Sequence, residues 1–210
     1  MSARRLLDVS VATRVGTPEW PGDTPFSCGW SARIADGSSV NLATLTMSPH
    51  VGTHADAPLH VRDDAPASEA LRLDAFVGPA FVLDVAGPPR DLGAELLERV
   101  APETRRLLLR TGHSIASGRF PADWPALSPA CARALASRGL WLLGVDAPSV
   151  DRRDSRTLDV HHALFDGGAC VVENLDLSEA PTGDCTLLAL PLLLAGLDAA
   201  PLRAALVLSD

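Results

Sequence analysis

Residues 48–61, "SPHVGTHADAPLHV", place His50, His54, Asp56 and His60 within eleven positions, and those three histidines are half of the six in the chain. Neutral imidazoles and a carboxylate are ligands that Zn²⁺ or Mn²⁺ accepts, and three protein ligands leave a coordination position open for chemistry. A helix would put His50 and His54 on one face but turn Asp56 away, and Pro58 would break it. In an extended chain the four even-numbered side chains all project to one side. A straight strand over those positions would span about 33 Å, too long for one site, so Gly52 and Pro58 must let the chain curl inward.

A second group lies far downstream in "TLDVHHALFDGGACVVENLDL", where His161 and His162 precede an apolar run that ends in Glu173. A buried carboxylate needs a partner or a metal. Adjacent side chains diverge in a helix and in a strand, so only one of the two histidines can readily face a metal. Trp20, in "EWPGD", is flanked by turn residues and belongs on a loop. Trp30, Trp124 and Trp141 read as packing residues, and His113 in "RTGHS" as a loop histidine. Asp146 ends an apolar run, where α/β folds carry functional groups, yet it could equally cap the following turn.

These side chains need a scaffold. Apolar runs at residues 80–86, 106–111, 140–146, 185–191 and 203–208 predict buried strands. Between the first three lie two helical patterns. One spans residues 91–100 from a capping Asp91, and the other starts at Ser128, with Pro129 in its first turn and Gly139 at its C-terminal end. Strand, helix, strand, helix, strand is a parallel α/β unit. The first eighty residues lack convincing helices and carry alternating stretches such as "SSVNLATLTM", which predict a β-rich portion. No repeat, low-complexity tract or linker divides the chain, so residues 1–210 are expected to form a single domain.

Composition narrows the function. The chain has 210 residues, is 47% hydrophobic and 21% charged, and carries a net charge of −8, with 18 basic residues that are all arginine. That field repels phosphate and no basic stripe is present, so nucleic acid is disfavoured and a small-molecule substrate is expected. The longest apolar run, residues 187–197, contains a proline and falls short of the ~20 residues that span a bilayer. The N-terminal residues do not resemble a secretory signal. Cys28, Cys131, Cys170 and Cys185 show no C-x-x-C spacing and are expected as buried, reduced thiols in a cytoplasmic protein.

"SPHVGTHADAPLH" resembles the H-x-G-T-H-x-D-x-P-x-H signature of the cyclase-like metal-dependent hydrolases, in particular of the bacterial kynurenine formamidases. "PEWPGDTPF", "LLGVDAPSVD", the region around His161 and the C-terminal "GDCTLLALPLLLAGLDAAPLRAAL" are similar to further stretches of that family, in the same order. The resemblance implies a swivelling β/β/α fold with a mixed central sheet, a homodimer, and two zinc ions per subunit, with Mn²⁺ as an alternative. It implies that His50, His54 and Asp56 hold one ion and that Asp56 bridges to a second held by His161, with Glu173 contacting both. His60 would be the acid/base, and Trp20 would pack against the substrate's ring. The implied reaction is hydrolysis of N-formyl-L-kynurenine to L-kynurenine and formate. The alternatives are a hydrolase of isatin or another cyclic amide and a non-catalytic metal-binding relative.

The chemistry of the residues agrees with that reaction. A formamide is a weak electrophile, so its hydrolysis needs water made more acidic by a metal and a Lewis acid to stabilise oxygen charge. The leaving aniline nitrogen needs a proton, which an imidazole can supply at neutral pH.

Overall fold

The five expected strands all form in the computed structural model, which describes residues 4–209. They are Val77–Asp84, Arg106–Arg110, Leu142–Val145, Gly183–Leu188 and Ala205–Ser209. Among the described residues, nine strands make one mixed sheet. Val77–Asp84, Arg106–Arg110, Leu142–Val145 and Cys170–Glu173 run parallel at its centre. Gly183–Leu188, Ala205–Ser209 and Arg4–Asp8 extend it antiparallel on one side, and His54–Asp56 and Ala199–Pro201 do so on the other.

The central runs are continuously apolar because both faces of the sheet are covered. Alternate residues of one strand go to different cores. Leu107 and Leu109 join Leu135, Leu143, Leu164 and Val171 on the helical side. Leu108 joins Phe76, Val82, Leu142 and Val172 on the other.

The helix at Pro129–Ser137 is the one the capping signals predict: the Ser128 hydroxyl accepts from the Cys131 amide at 3.2 Å, and Gly139 takes a positive φ of 80° just past the end. Its Cys131, Ala132, Leu135 and Ala136 are buried, a stripe at helical spacing. The expected helix at residues 91–100 is much shorter. Asp91–Leu92 instead pairs in parallel with Ala126–Leu127, and only Ala94–Leu97 is helical. Asp91 therefore caps nothing; a tertiary strand pairing overrode the local signal.

The alternating stretch also forms a strand, Leu42–Thr46, paired with Ser27–Ala32 in a separate two-stranded sheet. Every residue of Leu42–Thr46 is exposed. Trp30, expected as packing, is 59% exposed there, and Cys28, expected buried, is exposed as well. Trp124 is fully buried, and Cys131 and Cys170 are buried free thiols as expected. Among the described residues no helix is long and apolar enough to cross a membrane.

Candidate functional site

Sheet register assembles the site. In the antiparallel pairing of His54–Asp56 with Cys170–Glu173, Glu173 lies opposite His54 and Val171 opposite Asp56. Opposed residues share a face and so do residues two apart on a strand, which sends His54, Asp56 and Glu173 to the same side.

The rest of the motif is turned into place. The extended reading holds only for His54–Asp56; His50 lies in the turn before that strand, and His60 closes a short 3₁₀ turn at Pro58–His60. Gly52 has φ of 76°, and a Cβ there would sit 2.2 Å from Thr13 Oγ1, so both conformation and space require glycine. Thr53 locks the turn: its hydroxyl accepts from the Val11 amide at 2.8 Å and donates to the Asn174 carbonyl at 2.6 Å. Pro58 opens the 3₁₀ turn that swings His60 back until its ring centroid is 4.4 Å from that of His50.

The helix Asp159–Asp166 turns the two adjacent histidines to different sides. Val160, His161, Ala163 and Leu164 form its buried face. His161 points into the cluster, whereas His162 faces outward and accepts from the Arg62 guanidinium at 3.1 Å.

The ligand-type atoms converge in two triads that share Asp56. His50 Nδ1, His54 Nε2 and Asp56 Oδ1 are mutually 3.1, 3.1 and 3.2 Å apart. Asp56 Oδ2 lies 3.2 Å from His161 Nε2, which is 3.3 Å from Glu173 Oε1. The other oxygen of Glu173 approaches His54 Nε2 at 3.8 Å, so both carboxylates span the two triads. Ligand atoms about 2.1 Å from a tetrahedral ion lie roughly 3.4 Å from one another, close to these separations.

Proton positions sharpen the fit to a metal. His54 Nδ1 donates to the Gly52 carbonyl at 2.9 Å, His50 Nε2 to Asp198 Oδ2 at 2.9 Å and His161 Nδ1 to Asp151 Oδ2 at 2.7 Å. Each second nitrogen thus turns a lone pair toward the cluster, the arrangement of a metal-binding histidine held by an outer acceptor. Asp56 Oδ1 is buried with no hydrogen-bond partner in the middle of those lone pairs. Converging acceptors of this kind demand a cation.

The electrostatics express the same demand. Burial pulls the His50 pKa down, but the acceptor carboxylates of Asp198 and Asp56, which favour its protonated form, outweigh it and raise it to about 10. Burial likewise opposes, and Asp151, Asp56 and Glu173 outweigh, so His161 is held well above the ordinary histidine value. Burial would raise Asp56, but the imidazoles of His54, His161 and His50 gathered around it hold it well below the usual carboxylate range.

A cavity of about 700 Å³ opens beside the cluster, lined by His50, His54, His60, His161, Glu173 and Trp20, with Asp56 buried beneath. Trp20 is 40% exposed and meets Phe120 edge-on with centroids 5.5 Å apart, so one wall is aromatic. His60 is partly exposed and its Nδ1 is 3.4 Å from Asp198 Oδ2. His113 stands apart, with Nε2 on the Gly87 carbonyl at 3.1 Å. Asp146 accepts from the Thr111 and Gly112 amides of the neighbouring strand end at 2.7 and 3.0 Å, and so is structural.

Sequence reasoning missed Asp151, Asp198 and Phe120. Asp151 also accepts from the Val160 and His161 amides at 3.0 and 3.1 Å, capping the helix whose histidine it orients. Asp151, in "APSVD", and Asp198, in "GLDAAP", carried no local signal for these roles.

The Cyclase family model, described as "Putative cyclase", matches residues 7–152. The kynurenine formamidase of Bordetella pertussis is 40% identical over 204 residues, covering 97% of this chain and 98% of that protein. The kynurenine formamidase of Salinibacter ruber is 44% identical over 208 residues, covering 96% of each. A solved structure described as a potential metal-dependent hydrolase with cyclase activity superposes with a TM-score of 0.84 at 25% identity, covering 99% of this chain and all of the other. Isatin hydrolase A from Labrenzia aggregata shares the fold, with a TM-score of 0.85 at 23% identity over 99% of this chain and 94% of that one. The chain belongs to the cyclase family, and it is a hydrolytic enzyme of that family.

Proposed function

We propose that this cavity hydrolyses N-formyl-L-kynurenine to L-kynurenine and formate. Full-length similarity to kynurenine formamidases supports that reading. The observation that carries the chemistry is the pair of ligand triads joined by Asp56 and Glu173 at the base of a cavity with an aromatic wall. We assign His50, His54 and Asp56 to one divalent ion and Asp56, His161 and Glu173 to a second, with zinc as the expected occupant and Mn²⁺ the alternative. Bound there, such ions would supply Lewis-acid polarisation and a lowered pKa for water.

The chain's own groups do the rest. Trp20 and Phe120 pack the substrate's ring and keep water from its face. Asp198 accepts the Nδ1 proton of His60, which leaves Nε2 to exchange a proton with the reacting atoms. Hydrolysis forms a C–O bond from water to the formyl carbon and breaks the C–N bond, and His60 delivers the proton that the leaving aniline nitrogen takes up.

A homodimer is the proposed assembly. The separate two-stranded sheet exposes Trp30, Leu42 and Leu45 by 59, 55 and 62%, an apolar surface of the kind that marks an interface. We further propose one domain over residues 1–210, in keeping with two cores that share one sheet, and a cytoplasmic setting, in keeping with four free cysteines.

Incubation of the zinc-supplemented protein with N-formyl-L-kynurenine, and separately with isatin, tests the function. Release of kynurenine with isatin left intact is expected. Ring opening of isatin without kynurenine release would move the enzyme to the cyclic-amide branch, and release of neither product would overturn the formamidase reading.

A further inference from the structure

The loop leading from Asp151 to the His161 helix carries three arginines, two of them engaged. Arg152 pairs with Asp123 and lies 3.4 Å from Asp91. Arg153 donates to the Ala122 carbonyl at 2.9 Å and lies 5.6 Å from the Phe120 ring centroid. Arg156 lines the cavity, and among the described residues it has no carboxylate within salt-bridge reach. It is the only arginine lining that cavity among the described residues. It also lines an adjoining recess together with His60, which places it on the acid/base side of the opening. Ser155, beside it, ties the loop down by accepting from the Leu158 amide at 3.1 Å at the start of the His161 helix.

The remaining acidic and basic side chains on the wall, apart from the histidines, are Asp23, Glu173 and Asp198, all anionic. Outside the ligand cluster, where the metal ions and the reacting formamide would sit, Arg156 is the one arginine on the wall, among the described residues, that a ligand carboxylate can pair with. A guanidinium offers a planar fork of donors that matches a carboxylate bidentately, and such charge-assisted pairs are the stronger hydrogen bonds. N-formyl-L-kynurenine carries an α-carboxylate on the tail that extends from its ring, whereas isatin carries none.

We propose that Arg156 is a specificity-determining residue that binds the α-carboxylate of the substrate's amino-acid tail. The inference rests on the formamidase reading and deepens it: the cavity selects amino-acid formamides, with Trp20 and Phe120 reading the ring and Arg156 the tail.

The test compares wild type and Arg156→Met on two substrates, N-formyl-L-kynurenine and ortho-formamidoacetophenone, which keeps ring, ketone and formamide but lacks the amino-acid tail. Arg156→Met should lose about 10- to 100-fold in kcat/KM on the full substrate, mainly through KM, the scale of one charge-assisted hydrogen-bonded contact. It should leave the truncated substrate unchanged. Calorimetry should show the same split, with weakened binding of L-kynurenine and unaltered binding of ortho-aminoacetophenone. Equal losses on both substrates, or no loss on the full one, would overturn the assignment. Wild type that hydrolyses both formamides equally well would leave the formamidase reading standing and remove this one; wild type that hydrolyses neither would remove both.

Discussion

The two halves of the ligand cluster are built in opposite ways. His50, His54 and Asp56 come from one short segment and meet through a turn and three residues of strand. His161 reaches Asp56 across 105 positions of sequence, and Glu173 reaches His54 only because two strands pair in one register. The first half is a local motif; the second exists only after the sheet and the helix have docked. Asp56 belongs to both, one carboxylate oxygen to each, and that shared residue makes one site of them.

The largest effect should therefore come from Asp56. Asp56→Ala removes the group common to both triads and should abolish metal retention and reduce activity to background, measured by elemental analysis beside kynurenine release. Retention of one tightly held ion would show that the halves are independent.

His60 belongs to neither half. His60→Ala should keep the metal content and the fold yet lose roughly 10²- to 10⁴-fold in turnover, the range for a general acid/base. An activated aryl ester, whose leaving group needs less protonation, should suffer less than the anilide. Metal loss, or equal damage to both substrates, would place His60 among the ligands or the structural residues.

Asp151 probes the remote half alone, since it orients His161 and touches nothing of the local triad. Asp151→Asn should weaken metal binding by about 10- to 100-fold, as loss of an outer partner of a metal histidine does. Competition with a chelator should show the loss in one of two binding phases; an equal fall in both would mean that the halves do not separate.

The smallest effect belongs to His162. It lies on the outer side of its helix against Arg62, so His162→Ala should leave metal content at the wild-type level and change kcat little. Metal loss there, with retention in His161→Ala, would reverse the assignment made by the helix face.

The same division governs what could be read from sequence. The local half was legible because a period of two puts His54 and Asp56 on one side, and Gly52 and Pro58 announce the bends that bring in His50 and His60. Glu173 and the choice of His161 rested on resemblance, because register and helix rotation are tertiary facts. Asp151 and Asp198 were invisible as outer partners, since an aspartate in a turn looks the same whether it caps a helix or holds an imidazole across the fold. The short helix at Ala94–Leu97 failed for a related reason: Asp91–Leu92 is drawn into pairing with Ala126–Leu127, a contact that no local signal carries. Leu42–Thr46 was read correctly as a strand, but its alternation implied a buried face that the chain does not supply itself.

Metal stoichiometry tests the central claim most directly. Protein purified without chelator, analysed for elements and then stripped and titrated back with zinc, should hold about two ions per chain and regain activity only as the second is restored. One ion per chain at full activity, or full activity after exhaustive chelation, would contradict a site built from two triads joined through Asp56.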